Sequence, residues 1–181
     1  MSEELDILKI VTERLNIENI PYMVSGSIAA NYYTVPRMTR DIDIVVELKG
    51  TDTDKFVSLF AKDFYLDKET VESEILGKGM FNLIHNQYVI KIDFIIRKDT
   101  EFQNSAFSRR KKVLIEDAPI WFISAEDLVL AKLLWAKDSH SELQIKDIKN
   151  LLTTVDNLDK RYIEDWILKL NLGEIYNEAR K

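Results

Sequence analysis

The chain has 181 residues, with 25 Lys+Arg against 31 Asp+Glu for a net charge of −6, and 46% of it is hydrophobic. These proportions fit a globular chain of one domain, or one domain with a small appendix, long enough to bury a core. The absence of Cys excludes a disulfide scaffold, a thiolate zinc or iron–sulfur site and a thiol nucleophile, and His85 and His140 alone cannot build a His-rich metal cage. The acidic balance argues against broad nucleic-acid binding, which rests on many Lys/Arg–phosphate contacts, but leaves room for a local basic groove.

The first residues, MSEELDILK, are acidic where a secretory signal needs a basic start and an apolar run. No stretch reaches the roughly 18 to 20 apolar residues of a membrane span. A cytoplasmic protein with no membrane partner is expected. Leu5, Leu8, Val11 and Leu15 fall at helical spacing and predict an amphipathic helix over 3–18. Pro21 opens a short strand, Tyr22-Met23-Val24, that ends at a Gly26-Ser27 turn. Ile28 to Tyr33 reads as a helix stopping before Pro36.

Asp41 to Leu48 (DIDIVVEL) alternates polar and β-branched residues, which predicts a strand. A helix over 51–61, capped by Thr51 or Asp52, leads into an ambiguous stretch, 64–78, read as a short strand and a helix over 69–76. Met80 to His85 and Tyr88 to Ile96 predict an antiparallel hairpin turning at Asn86-Gln87, with His85 exposed. Residues 99–111 read as polar and irregular, followed by short strands at 113–115 and 120–123 around Pro119. Ser124 with Asp127 makes a capping-box pattern ahead of a helix through Leu128 to Ala136. Further helices are expected over 140–154, 159–170 and 172–179. The fold class is α/β (α+β), with a core over 1–123 and a helical part over 124–181 packed on it.

Three features carry chemistry. Asp41 and Asp43 are two apart on a strand, so they share a face with Cα atoms roughly 6.5 Å apart. So placed, they can converge on a pair of divalent ions, or merely form the polar face of an edge strand. Asp93 lies within the apolar strand Ile90 to Ile96, where a bare carboxylate costs several kcal/mol unless its charge is compensated. Lys91 on the same face is one compensation; a metal shared with Asp41 and Asp43 is the other. At Gly26-Ser27, the glycine permits close approach of a ligand and the following helix offers free N–H groups to a phosphate, although most Gly-Ser pairs are only turns.

Taken together, the apolar strand ending in Gly26-Ser27, thirteen intervening residues, Asp41-Ile42-Asp43-Ile44 and the later Ile92-Asp93-Phe94 resemble the polymerase-β-type nucleotidyltransferase superfamily over about residues 20–96. The text Arg37-Met38-Thr39-Arg40-Asp41-Ile42-Asp43 is similar to its small prokaryotic branch, which holds minimal nucleotidyltransferases and abortive-infection-type toxins. Ser27 stands where a second Gly is common. The resemblance implies a mixed β-sheet flanked by helices and transfer of a nucleoside monophosphate from an NTP to a hydroxyl acceptor, RNA, protein or small molecule. It implies two Mg²⁺ ions (or Mn²⁺) on Asp41, Asp43 and Asp93, and phosphate contacts from Gly26 and Ser27, with Arg40 and Lys132 in support. A small protein partner from a toxin–antitoxin pair, with the chain chiefly a binder, is the alternative.

Lys132 and Asp147 each fall on an apolar helical stripe, which suggests that they pair. They form either a structural ion pair or, as the resemblance implies, a phosphate-binding lysine oriented by an aspartate. Arg109-Arg110-Lys111-Lys112 is a solvated strand start or a steering patch for an acceptor. Trp121, Trp135 and Trp166 read as packing residues. A haloacid-dehalogenase-type reading of Asp41-Ile42-Asp43 fails because the apolar run follows the acids instead of preceding them. A glycosyltransferase D-x-D leaves Gly26-Ser27 unexplained, and an EF-hand lacks its Gly and terminal Glu.

Overall fold

The structure, a computed structural model, describes residues 3–181. Its strands are β1 (Tyr22–Val24), β2 (Asp41–Val46), β3 (Phe64–Tyr65), β4 (Met80–His85), β5 (Lys91–Ile96), β6 (Lys111–Ile115) and β7 (Ala118–Phe122). They form one mixed sheet in the order β3-β4-β5-β2-β1-β7-β6. The β2–β5 and β1–β7 pairs are parallel, and the remaining neighbours are antiparallel. This is the mixed α/β architecture that the element pattern predicts.

The alternation in β2 sorts the two faces of the sheet. Ile42, Ile44 and Val46 are fully buried, and their register partners Ile92, Phe94 and Ile96 join them on one face. That face is covered by α3 (Thr53–Phe60), whose Phe56 meets Phe81 and Phe94 edge-on. Helix α1 (Glu3–Ile17) adds Leu8, Val11 and Leu15, buried as their spacing predicts. Burying a side chain of this size contributes roughly 1.5–3 kcal/mol. The opposite face presents Asp41, Asp43 and Val45 beside Lys91, Asp93 and Ile95.

Helix α2 (Gly26–Tyr33) follows β1 directly, and α4 (Lys68–Gly77) links β3 to β4. After the sheet come α6 (Ala125–Ser139), α7 (Glu142–Thr154), α8 (Lys160–Lys169) and α9 (Gly173–Ala179). Ser124 caps α6, its Oγ accepting from the Asp127 N–H. Leu128, Ile148 and Ile163 belong to one hydrophobic cluster with Ile42 and Phe94, so the C-terminal helices share the core of the sheet. No described helix is long and apolar enough to cross a membrane.

Four local expectations are corrected. Residues 101–108 form a helix, α5 (Glu101–Ser108), because the Thr100 side chain caps Gln103 N–H and Phe102, Ala106 and Phe107 bury one stripe. The segment before α3 starts as a 3-10 turn at Gly50–Asp52, where Asp52 accepts from the Lys49 N–H instead of capping the helix. The hairpin turn runs through 86–90 rather than closing at Asn86-Gln87. Val89 sits at φ +53 and its N–H closes onto the His85 carbonyl, so β5 starts only at Lys91. His85 is buried, not exposed: its ring packs between Phe64 and Tyr88, and its Nδ1 accepts from the turn N–H groups of Gln87 and Tyr88.

Candidate active site

Parallel pairing of β2 with β5 puts Asp41 opposite Lys91 and Asp43 opposite Asp93. Four charged side chains therefore share a small area of the open face. Lys91 Nζ lies 2.8 Å from Asp93 Oδ2 and 3.7 Å from Asp41 Oδ1. Asp93 is almost buried, Asp43 half-buried and Asp41 exposed. Burial, with Asp93 beside it, pushes the Asp43 carboxyl above the usual carboxylate range, while Lys132 and the Ser27 N–H pull the other way. The hydrogen bond to Asp93 raises Lys91, which is therefore a firm cation.

Gly26 opens α2 at φ +59, in the left-handed region. The Ser25 N–H donates to the Asp43 carbonyl at 2.9 Å, tying the turn to β2. A Cβ built on Gly26 would overlap the Asp43 carboxylate and lie 2.8 Å from Asp43 Cβ. Glycine is thus required twice, for its dihedral and for the close approach of the acid. Gly26→Ala should cost about 1–3 kcal/mol of stability from the strained dihedral alone. It should also displace Asp43, which a melting curve beside a nucleotide titration will register as two separate losses.

Lys132 and Asp147 do pair, at 2.9 Å, and both are buried. Gln144 accepts a second hydrogen bond from Lys132. Burial lowers the Lys132 pKa, opposed by Asp147. Burial also opposes ionisation of Asp147, yet hydrogen bonds from Arg37 and Lys132 hold its carboxyl below the usual range.

The second cation at this acid is Arg37, which sequence reasoning passed over in favour of Arg40. Arg37 donates through Nε and one terminal nitrogen to the two oxygens of Asp147, at 3.0 and 2.9 Å, and to Ser27 Oγ at 2.7 Å. Asn31 of α2 fixes it, its side chain exchanging hydrogen bonds with the Arg37 main chain. Arg40 is exposed and forms no hydrogen bond or ion pair with any described residue. The available signal was the phi-restricting Pro36 just before Arg37, which fixes the chain where it returns past α2.

Two other basic residues are absorbed by structure. Arg109 pairs with Asp127 and lies over the Tyr162 ring, and Arg110 lies over Phe107 and Trp121. Tyr162 donates to Asp127, and burial raises its pKa to about 12. Trp166 is buried, whereas Trp135 is 59% exposed and is no core residue.

As they stand, no three His, Cys, Asp or Glu side chains among the described residues are grouped tightly enough to hold a metal ion. Lys91 occupies the space between Asp41 and Asp93, and Asp41 leans towards solvent. The donor set nevertheless suits a hard cation: every group is a carboxylate oxygen. Burial first, and the neighbouring Asp93 second, raise the Asp43 pKa, so its ionised form gains from a cation close by. The Lys91 side chain is 40% exposed, so solvent reaches it beside Asp93. A divalent ion held by these carboxylates would have to displace Lys91.

The chain aligns over 95% of its length with 92% of the antibiotic-resistance factor ANT(2'')-Ia, at 15% identity and a TM-score of 0.59. It also matches a Thermotoga maritima protein described as a nucleotidyltransferase (TM1012), at 18% identity and a TM-score of 0.55, over 78% of this chain and 89% of that one. The chain shares the fold of these two proteins. The same fold relates it to the lincosamide antibiotic adenylyltransferase LnuA in its lincomycin-bound form, at 17% identity and a TM-score of 0.56, over 86% of this chain and 99% of that one. No protein-family model and no curated protein matches the sequence. In this nucleotidyltransferase fold, Asp41, Asp43 and Asp93 share the open face of the central strands, with Gly26-Ser27 at their edge.

Proposed function

We propose that this chain is a metal-dependent nucleotidyltransferase that moves a nucleoside monophosphate from an NTP to a hydroxyl group. The observation that carries the reading is the side-by-side placement of Asp43 and Asp93 against the turn at Gly26, where the glycine's missing Cβ makes room for the acid. Gly26, Ser27 and the start of α2 receive the phosphates, with Lys132 and Arg37 as the cations behind them. Asp41, Asp43 and Asp93 would hold Mg²⁺ or Mn²⁺, which when bound supplies charge neutralisation at the phosphorus and the departing pyrophosphate. Asp93, nearly buried, would orient the acceptor hydroxyl and take its proton once Lys91 has moved from it.

Two structural neighbours support the proposal: LnuA is described as an adenylyltransferase, and a structure of ANT(2'')-Ia is described in complex with adenylyl-2''-tobramycin. The test is release of pyrophosphate and transfer of label from each of the four α-labelled NTPs, with Mg²⁺ and with chelator. Retention of label in the NTP under every condition, with an acceptor-rich extract present, would falsify the reading.

Lys91 gives a separate check. Removing its charge from beside Asp93 should strengthen the attraction of the site for a divalent ion by about 1 kcal/mol, roughly fivefold in affinity. Lys91→Met should therefore bind Mn²⁺ more tightly than the parent in a paramagnetic titration. A weaker or unchanged titration means the ion does not enter between these carboxylates.

A further inference from the structure

The face that carries the acids continues beyond them. Past Asp43 and Asp93 the sheet runs on through Val45 and Ile95, which are register partners, and α5 and α6 rise over it. They leave a groove of about 740 Å³ that begins at Gly26, Ser27, Asp43 and Lys132. Beyond that beginning its walls are chiefly apolar: Val45 and Ile95 as floor, Phe102 and Ala106 from α5, Ala131 and Trp135 from α6. Trp135 and Met80, 59% and 48% exposed, are large apolar side chains left facing this opening.

Charge in the groove is sparse. Apart from Asp43 and Lys132 it holds only Lys78, Lys98 and Asp138. A nucleic-acid strand needs a track of Lys/Arg along its phosphates, and the densest cation run of the chain, at 109–112, does not line the groove. A polycationic acceptor needs carboxylates, and Asp138 is the one carboxylate beyond Asp43. The volume lies within the roughly 300–1,000 Å³ of sites for compact organic ligands.

We propose that the groove holds the acceptor, and that the acceptor is a small molecule carrying its hydroxyl on a largely apolar body. The hydroxyl lies at the Asp43 end, where Asp93 is the register partner of Asp43, and the body lies against Val45, Ile95, Ala131 and Trp135. This rests on the nucleotidyl-transfer reading above. In the step, the acceptor oxygen forms a bond to the α-phosphorus and the bond from that phosphorus to the oxygen bridging the β-phosphate breaks. Pyrophosphate leaves with the electron pair, and the hydroxyl proton passes by way of Asp93 to solvent.

The experiment uses the full chain with Mg²⁺, α-labelled NTPs and a cell extract separated into small-molecule, RNA and protein fractions. Label should appear in the small-molecule fraction, in a species retained on a reversed-phase column longer than the free nucleotides. Ala131→Trp, which fills the groove, should lower that labelling at least about tenfold, the loss expected when an apolar contact of this size is denied. Calorimetric binding of Mg-NTP should stay within about twofold of the parent. Trp135→Ala, at a side chain already facing solvent, should weaken labelling in the same direction and decides the matter if Ala131→Trp melts early. An unlabelled small-molecule fraction from a chain that still binds Mg-NTP overturns the inference while leaving the transferase reading to stand. Full labelling by groove-filled, folded protein overturns it too. Loss of both NTP binding and label in every fraction overturns the two together.

Discussion

Asp43→Asn should abolish nucleotidyl transfer, by roughly 10³-fold or more, because the metal-held charge it supports is worth several kcal/mol at the transition state. The fold should not suffer. Asparagine keeps the volume beside Gly26 while removing a charge that burial and Asp93 disfavour, so the melting temperature should hold or rise. Linkage gives an independent check. The folded Asp43 carboxyl titrates above its ordinary value of 3.8, so the native state takes up this proton before the unfolded chain does. Its contribution therefore favours the native state increasingly as pH falls from neutral through the raised value towards 3.8, and levels off below. In the Asn variant that gain should be missing from urea-denaturation curves recorded across the interval. A variant with full transferase activity removes Asp43 from the chemistry.

Asp147→Leu should be the most destabilising single change at the site, by about 3–5 kcal/mol, since it strands a buried cation. Lys132 is 3% exposed and would lose its charged partner, and Arg37 would lose both of its carboxylate contacts. For a chain of this size the melting temperature should fall by roughly 10 °C. Adding Lys132→Met to Asp147→Leu should recover part of the loss, because the fully buried cation is then gone and only the partly exposed Arg37 is left without its carboxylate. Lys132→Met alone separates structure from function: weakened Mg-NTP binding with a near-parental melt places the lysine at the phosphates, whereas a lowered melt with unchanged binding makes the pair a strut. The pH signature is opposite to that of Asp43. Asp147 titrates below its ordinary value of 3.8, so the stability it contributes is complete above that value and is lost as pH falls through the lowered one.

The parts of this site written in local sequence were legible in advance. Alternation in Asp41-Ile42-Asp43-Ile44 assigns the acids and the core residues to opposite faces, and the structure shows those faces. The pairing of Lys132 with Asp147 followed from charges on two apolar helix stripes. What escaped was set by tertiary contact. Arg37 and Arg40 are equally basic in the sequence, and only the fold, through Asn31 and Asp147, decides which of them turns inward. The helix at 101–108 was hidden by its polar residues, although Thr100 and the Phe102–Ala106 spacing announced it. His85 was misplaced because its burial depends on rings from Phe64 and Tyr88, on a different strand and a longer turn.

The parallel register of β2 and β5 ties the placement of the acids and the packing of the core to the same alternation. Sliding β5 by one residue would turn Asp93 towards the packed phenylalanines of α3 and bring Ile92 and Phe94 out beside Asp43. A deletion or insertion within either strand should therefore disturb the buried face and the cluster of acids together. Added or lost residues should be tolerated in the connections, such as the stretch 86–90, and not within the two central strands.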